Sequence, residues 1–488
     1  MPDFGFVGAS YTTPSIYQDA QECINFYPEI DPTKQPGERG IVALYPTPGL
    51  EEVAQLEIAE VRGMRALSGS QYAIIVSGDK VYRMNTNLVA TQVGILNTDS
   101  GPVQITDNVM TSGGLTAYIT DGLYRYYYTV GTNTFSALPP DDGAWLGATV
   151  CDTIDNYIAY NKPNSQLWAV TDLGSQFSTT GYFGAKDGSP DNLVALICDH
   201  RQVYLLGEFT TEVWVDVGTQ IPGIITFPFQ RISGASSQNG LAAPFSLARF
   251  AETFMFVSRD TLGTATIGQM RGYEYQRVST HAVEYSLIGV NVSNARAYAY
   301  QVQGHEFYVV TFPDADLTWV YDLATQQWHK WLSWDSATGY HRHRSNCGMA
   351  FANKTIVGDY ENGKVYSLEF DKYTDNGSTI RRLRRAPHIT TDLQRQFFEE
   401  FQIQFQPGVG LPVGQGQNPQ AMLRWSNDGG STWSNEHWVS IGQIGRYQNR
   451  AIWRRLGWSR DRIFEVAITD PVKAVIVSAN LKASAGDN

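Results

Sequence analysis

The 488 residues carry a formal net charge of −12, with 17% charged and 42% hydrophobic side chains beside 45 Gly and 27 Tyr. That apolar fraction can fill a sizeable core and excludes a disordered chain. The acidic balance argues against a general nucleic-acid coat, which needs Lys and Arg to neutralise phosphate, and scarce charge with abundant Gly and aromatics describes an all-β chain of short strands and tight turns.

Residues 1–55 are punctuated by Pro28, Pro32, Pro36, Pro46 and Pro48, which suits an extended arm packing on something else. Met1 to Gly5 lacks the basic and apolar stretches of a signal peptide. No run approaches the ~18 apolar residues of a membrane span. The expectation is a chain made in the cytoplasm, without membrane insertion.

Across residues 56–375 an apolar–aromatic pair recurs: Val81-Tyr82, Leu123-Tyr124, Leu167-Trp168, Val213-Trp214, a weaker Tyr273/Tyr275, Val320-Tyr321 and Val365-Tyr366. Most copies stand 42 to 48 residues apart, and Gly78-Asp79, Asp121-Gly122 and Asn362-Gly363 supply turn chemistry nearby. A period in the forties matches the four-stranded blades of a β-propeller, here of six or seven blades. One blade cannot cover both of its faces, whereas a ring of blades buries them between neighbours. Stacked sandwiches are the alternative. The only helix expected in this block is a short one over 242–250.

Residues 376–488 change character. Phe401 to Gln406 alternates apolar with Gln, as in a strand with one buried face. Met422 to Trp425, Glu436 to Ile441, Ile463 to Ile468 and Val472 to Leu481 add further strands, giving a separate β-sandwich. This part holds 14 Lys+Arg against 9 Asp+Glu, while residues 1–375 hold 22 against 39. The two could attract each other between neighbouring copies, or both could be solvated faces.

Ser426-Asn427-Asp428-Gly429-Gly430-Ser431-Thr432-Trp433 resembles the Asp-box S-x-D-x-G-x-T-W. Its mechanics are those of a structural turn in which Ser426, Asp428, Gly430 and Trp433 each have a place. Asp141-Asp142, Asp314/Asp316 and Glu399-Glu400 are the closest carboxylate sets, and they read as turn or surface residues. His341 and His343 fall on one side of a strand, but without a third ligand nearby a solvated loop is preferred to a metal site. Arg381-Arg382-Leu383-Arg384-Arg385 is the strongest charge cluster and reads as an exposed strand, an intersubunit patch or a DNA contact. Cys23, Cys151, Cys198 and Cys347 lie far apart with no C-x-x-C, as expected of free thiols. No hydrolase, metal or nucleotide motif calls for a cofactor.

Gln21-Glu22-Cys23-Ile24-Asn25-Phe26-Tyr27-Pro28-Glu29, followed by Leu44-Tyr45-Pro46-Thr47-Pro48-Gly49-Leu50, resembles the opening of the packaged-DNA stabilisation family, the tail hub or nozzle proteins of short-tailed phages. Arg455-Leu456-Gly457, Arg460 to Phe464 and the Val472 to Leu481 strand are similar to that family's end. The resemblance implies a non-enzymatic virion tail protein. It would form a homo-hexameric ring below the portal and its adaptor, extend the channel for double-stranded DNA, retain the packaged genome and dock fibres or tailspikes. The arm and the sandwich would together form the platform that meets the adaptor, with Asn25, Phe26, Tyr27, Arg381, Arg382, Arg384 and Arg385 as ring or adaptor contacts. The rival readings are a carbohydrate-binding or glycoside-hydrolysing propeller, favoured by the Asp-box, and a protein-binding scaffold propeller.

Overall fold

The computed structural model describes residues 5–34, 41–69, 71–110, 114–143, 145–218, 227–259 and 263–486; Pro36 and Met1 to Phe4 lie outside them. Seven four-stranded antiparallel units follow one another along the chain. The first six span 61–95, 104–137, 151–185, 193–237, 248–277 and 296–330. The seventh takes Ser345–Phe351, Lys354–Asp359 and Lys364–Glu369, and borrows its fourth strand, Gly49–Gln55, from the N-terminal segment. The recurring pair marks the third strand of a unit: Val81 and Tyr82 lie in Lys80–Asn85, Trp168 in Leu167–Val170, Trp214 in Thr211–Asp216, Tyr321 in Leu317–Asp322 and Tyr366 in Lys364–Glu369. Tyr124 immediately precedes Arg125–Thr129. The weak copy breaks the pattern because Tyr275 falls on the fourth strand of unit five, Glu274–Arg277.

Hydrophobic clusters join each unit to the next. Val81, Ile105 and Tyr126 link units one and two; Tyr118 and Ile158 link two and three; Trp168, Leu205 and Phe256 join three, four and five. Val257 with Tyr308 joins five and six, and Phe307 with Val357 joins six and seven. The ring closes where Val61, Ile75 and Met84 of unit one meet Met349, Phe351 and Ile356 of unit seven. This is how sheets with two apolar faces satisfy both.

At the axis the first strands of all seven units surround a cavity of about 390 Å³. Arg65–Asp107 at 3.2 Å and Arg249–Asp152 at 2.7 Å tie different units together around it. The expected helix over 242–250 is instead a single 3-10 turn, Pro244–Ser246, followed by the strand Ala248–Phe250. Partnering of Ala248–Phe250 with Thr253–Arg259 in unit five overrides the local pattern. The α-helix among the described residues is His281–Tyr285.

The C-terminal part is a two-layer sandwich. One layer runs Phe26–Ile30, Val42–Pro46, Ile476–Ala485, Gln396–Phe405 and Ala451–Arg454. The other carries Ala20–Ile24, Arg382–Arg385, Asp461–Ile468, Gln420–Ser426 and His437–Ser440. Phe6, Phe26, Leu44, Phe398, Phe401, Trp453 and Phe464 are among the side chains between them. The arm is therefore not an irregular appendage: it contributes strands to both layers and to unit seven.

All four cysteines are free, and Cys23, Cys151 and Cys198 are buried. Burial pushes the Cys23 and Cys151 thiols up to about 12. Burial holds the Cys347 thiol up at about 12 as well, so access rather than ionisation separates the four: a disulfide-exchange reagent should react first with Cys347, the thiol partly exposed on the axial cavity, and leave the other three silent in the native protein. Four thiols titrating at one fast rate without denaturant would contradict this packing.

Candidate functional site

The place where sequence-expected residues converge is the seam between propeller and sandwich. Ala20–Ile24 pairs in parallel with the last strand of unit six at Ile24 and Lys330, and antiparallel with Arg382–Arg385 on its other side, so one sheet passes from propeller into sandwich. Asn25 then turns the chain from one sandwich layer to the other. Its φ of 57° is left-handed, a conformation Asn tolerates better than most residues. Its Nδ2 donates to Leu332 O at 2.8 Å and to Arg381 O at 2.9 Å, while Leu332 N donates to its Oδ1 at 2.8 Å. Phe26 and Tyr27 beyond it are buried, Tyr27 against the rings of Phe307 and His305.

The arginine cluster is likewise internal. Arg384 is fully buried and donates to Phe6 O, to Ala9 O at 2.8 Å, to Glu22 O at 3.3 Å and to Gln21 Oε1 at 2.6 Å. It holds Phe6 and Ala9 against the sandwich. Arg382 is buried over the Tyr373 ring at 5.6 Å; burial moves its guanidinium down to about 10 and nearby Asp375 up to about 7. Arg385 and Arg424 both donate to the buried carboxylate of Glu465, and both lie over Trp433. Arg381 stacks on Trp334 at 4.8 Å.

The expectation of an exposed contact cluster is thus corrected for five residues. Asn25, Phe26, Tyr27, Arg382 and Arg384 are consumed by strand pairing and hydrogen bonding inside the chain. Arg381 and Arg385 keep partial exposure. The alternation that puts Arg382 and Arg384 on one face of a strand was legible; the internal acceptors of Arg384, 360 or more residues away, were not.

A contact that sequence reading missed lies beside this seam. His305 Nδ1 is 2.9 Å from Asp322 Oδ2, and its Nε2 is 2.6 Å from Glu29 Oε2, so the imidazole bridges unit six to the sandwich strand Phe26–Ile30. Only the protonated ring donates to both carboxylates. The bond to Asp322 is the main cause holding the His305 pKa above 6.5. The clip therefore stabilises the fold fully below pH 6.5 and is lost as pH rises through the raised folded value. The melting temperature of the wild type should fall over that rise relative to His305→Gln; parallel pH profiles would sink this assignment.

The Asp-box is a turn between Gln420–Ser426 and His437–Ser440. Ser426 Oγ donates to Asp428 Oδ1 at 2.7 Å and accepts from Gly430 N at 2.8 Å; Thr432 donates to Asp428 from both N and Oγ1. These donors hold Asp428 down to about 2. Trp433 Nε1 closes on Gly430 O at 3.0 Å, and Gly429 and Gly430 take φ of 69° and 103°.

Apart from exposed Asp141, the members of the carboxylate sets have partners. Asp142 faces Arg125 at 3.2 Å, Asp314 accepts from Asn291 and Asn294, Asp316 from His341 and Arg342, Glu399 from Lys482 and Glu400 from Arg454. His343, expected in a solvated loop, is buried and stacked on Trp331 at 3.8 Å, because the 339–342 hairpin strand folds it under unit six. Among the described residues no group of three or more His, Cys, Asp or Glu is placed to hold a metal ion.

Comparison with known proteins returns two adjacent family matches in the same order as the two domains. The profile described as bacteriophage P22 Gp10, beta-propeller, matches residues 17–373, and that described as bacteriophage P22 Gp10, beta-sandwich, matches residues 381–484. The tail hub protein gp10 of Salmonella phage P22 is 21% identical over 344 residues, covering 68% of this chain and 70% of its own length. Among solved structures, the extracellular domain of a one-component system from B. thetaiotaomicron aligns with 82% of this chain at 11% identity and a TM-score of 0.43; the alignment spans 48% of that protein. An all-β propeller joined to a β-sandwich, matched in both parts and in order, belongs to the bacteriophage P22 Gp10 family.

Proposed function

We propose that this protein is a non-enzymatic structural subunit of a phage tail hub. The observation that carries the reading is the paired family match across propeller and sandwich, together with a relative named as a tail hub protein. The finer reading is a homo-hexameric ring beneath the portal and adaptor, assembled in the host cytoplasm. It would prolong the DNA channel and offer surfaces to fibres or tailspikes. A sheet that runs without interruption from unit six into the sandwich suits a wall element that must transmit load without bending. The excess of acid over base in residues 1–375 suits a conduit past which phosphate slides rather than sticks. Arg381 and Arg385, the expected contacts that retain exposure, remain candidates for meeting the adaptor.

Electron micrographs of particles containing the protein test the reading directly. A six-fold ring with a central hole on the tail axis is expected. Absence of the protein from mature particles, or release of sugar from host polysaccharide by the isolated chain, would overturn it.

A further inference from the structure

One end of the sandwich carries a continuous exposed aromatic and basic surface. Tyr17 packs against Gly429 of the Asp-box turn, and His388 bridges Ile16 O and Asp461 at 2.7 Å each. Arg460 donates to Leu393 O at 2.8 Å, and Arg395 lies 4.3 Å over Trp458, which pairs across strands with Phe397. Leu393 and Trp458 stand 63% and 50% exposed. Arg455 and Arg460 are exposed around them, and among the described residues no carboxylate lies within ion-pair distance of Arg455. Contiguous apolar surface of this kind marks an interaction site rather than ordinary scatter.

A second surface is its complement. In a four-stranded meander the second-to-third turns and the links between units emerge on one face of the ring. On that face Leu123 and Phe209 are each 65% exposed, and Asp99, Asp141 and Glu208 stand exposed around them. These residues belong to units one to four and their links. The sandwich is attached at units six and seven. The two surfaces are therefore built from different residues on different parts of the chain.

We propose that the basic, aromatic end of the sandwich docks onto the acidic, apolar face around units two to four of a second copy of this chain. The occupant is a second copy because the complementary charge and apolar groups are both on this chain. Two different patches make the contact head-to-tail rather than two-fold, so it propagates from copy to copy and closes into a ring where the rotation between neighbours permits. Charge complementarity sets the register, and Trp458 with Leu393 supplies the desolvated centre. Only the ring's closure rests on the tail-hub reading.

The test compares the full-length wild type with three variants by sedimentation velocity, alone and after addition to phage heads lacking this protein. The variants are Trp458→Ala, the double variant Arg455→Glu with Arg460→Glu, and that double variant combined with Asp141→Lys and Glu208→Lys. Melting temperatures confirm that each is folded, and Trp458→Ala serves alone if a charge variant is not. The first two should require at least about tenfold more protein to assemble, and the combined charge swap should restore assembly. Wild type and all variants assembling alike would overturn the surface while leaving the tail-hub reading intact. A wild type that assembles neither alone nor on heads would overturn both.

Discussion

A chain shortened to begin at residue 56 should fail to fold, rather than fold and merely fail to dock. The deleted segment supplies Phe6, Ile24, Phe26, Tyr27, Leu44 and Leu50, all buried. Losing each large apolar core side chain costs about 2–5 kcal/mol, so six together, at about 12–30 kcal/mol, match or exceed the 5–15 kcal/mol by which domains are ordinarily stable. The damage would reach both domains. Gly49–Gln55 closes unit seven against Lys364–Glu369, and Phe26–Ile30 with Val42–Pro46 joins the sandwich layer through Leu44 and Ile476. Expression of residues 56–488 should give insoluble protein or a product without a cooperative melt. A soluble fragment melting where the full chain does would refute the shared architecture.

Arg384→Met should be the most destabilising of the substitutions in the arginine cluster. The guanidinium is wholly buried and satisfies three backbone carbonyls and the Gln21 side chain, in segments more than 360 residues upstream. Methionine matches its length but donates nothing, so those acceptors become orphans at about 1–3 kcal/mol each. Together that is about 4–12 kcal/mol, partly offset because a buried charge is removed as well, so a loss of at least about 3 kcal/mol is expected in urea unfolding, with early proteolytic release of the residues before Ala20. Arg385→Met, whose partner Glu465 keeps Arg424, should cost clearly less. Equal losses for the two, or an Arg384→Met protein as stable as wild type, would show that the charge is not the tie.

Much of the propeller was legible because its signal is local and repeats. The Val-Tyr or Leu-Trp pair recurs where a third strand must present an apolar face to each neighbouring unit, and Gly78, Gly122 and Gly363 sit at positive φ where the adjoining turns require it. The Asp-box was legible for the same reason: the bonds that shape its turn fall between residues 426 and 433.

The sequence by itself thus determined the all-β class, the repeat, the sandwich strands and the turn that joins two of them. Tertiary structure alone decided the fate of the N-terminal segment and of the charged cluster. Proline punctuation over residues 28–48 reads as irregular, yet Pro28 and Pro46 lie within strands that pair with each other, in a layer that the distant strand at residues 476–485 completes. Arg382 and Arg384 read as surface because burying a charge is costly. Arg384 is inside because carbonyls from the far end of the chain meet it there, and His305 is drawn towards its charged form because carboxylates from two domains converge on it. Periodicity records which face of a strand is apolar; it carries no record of which distant strand will cover it.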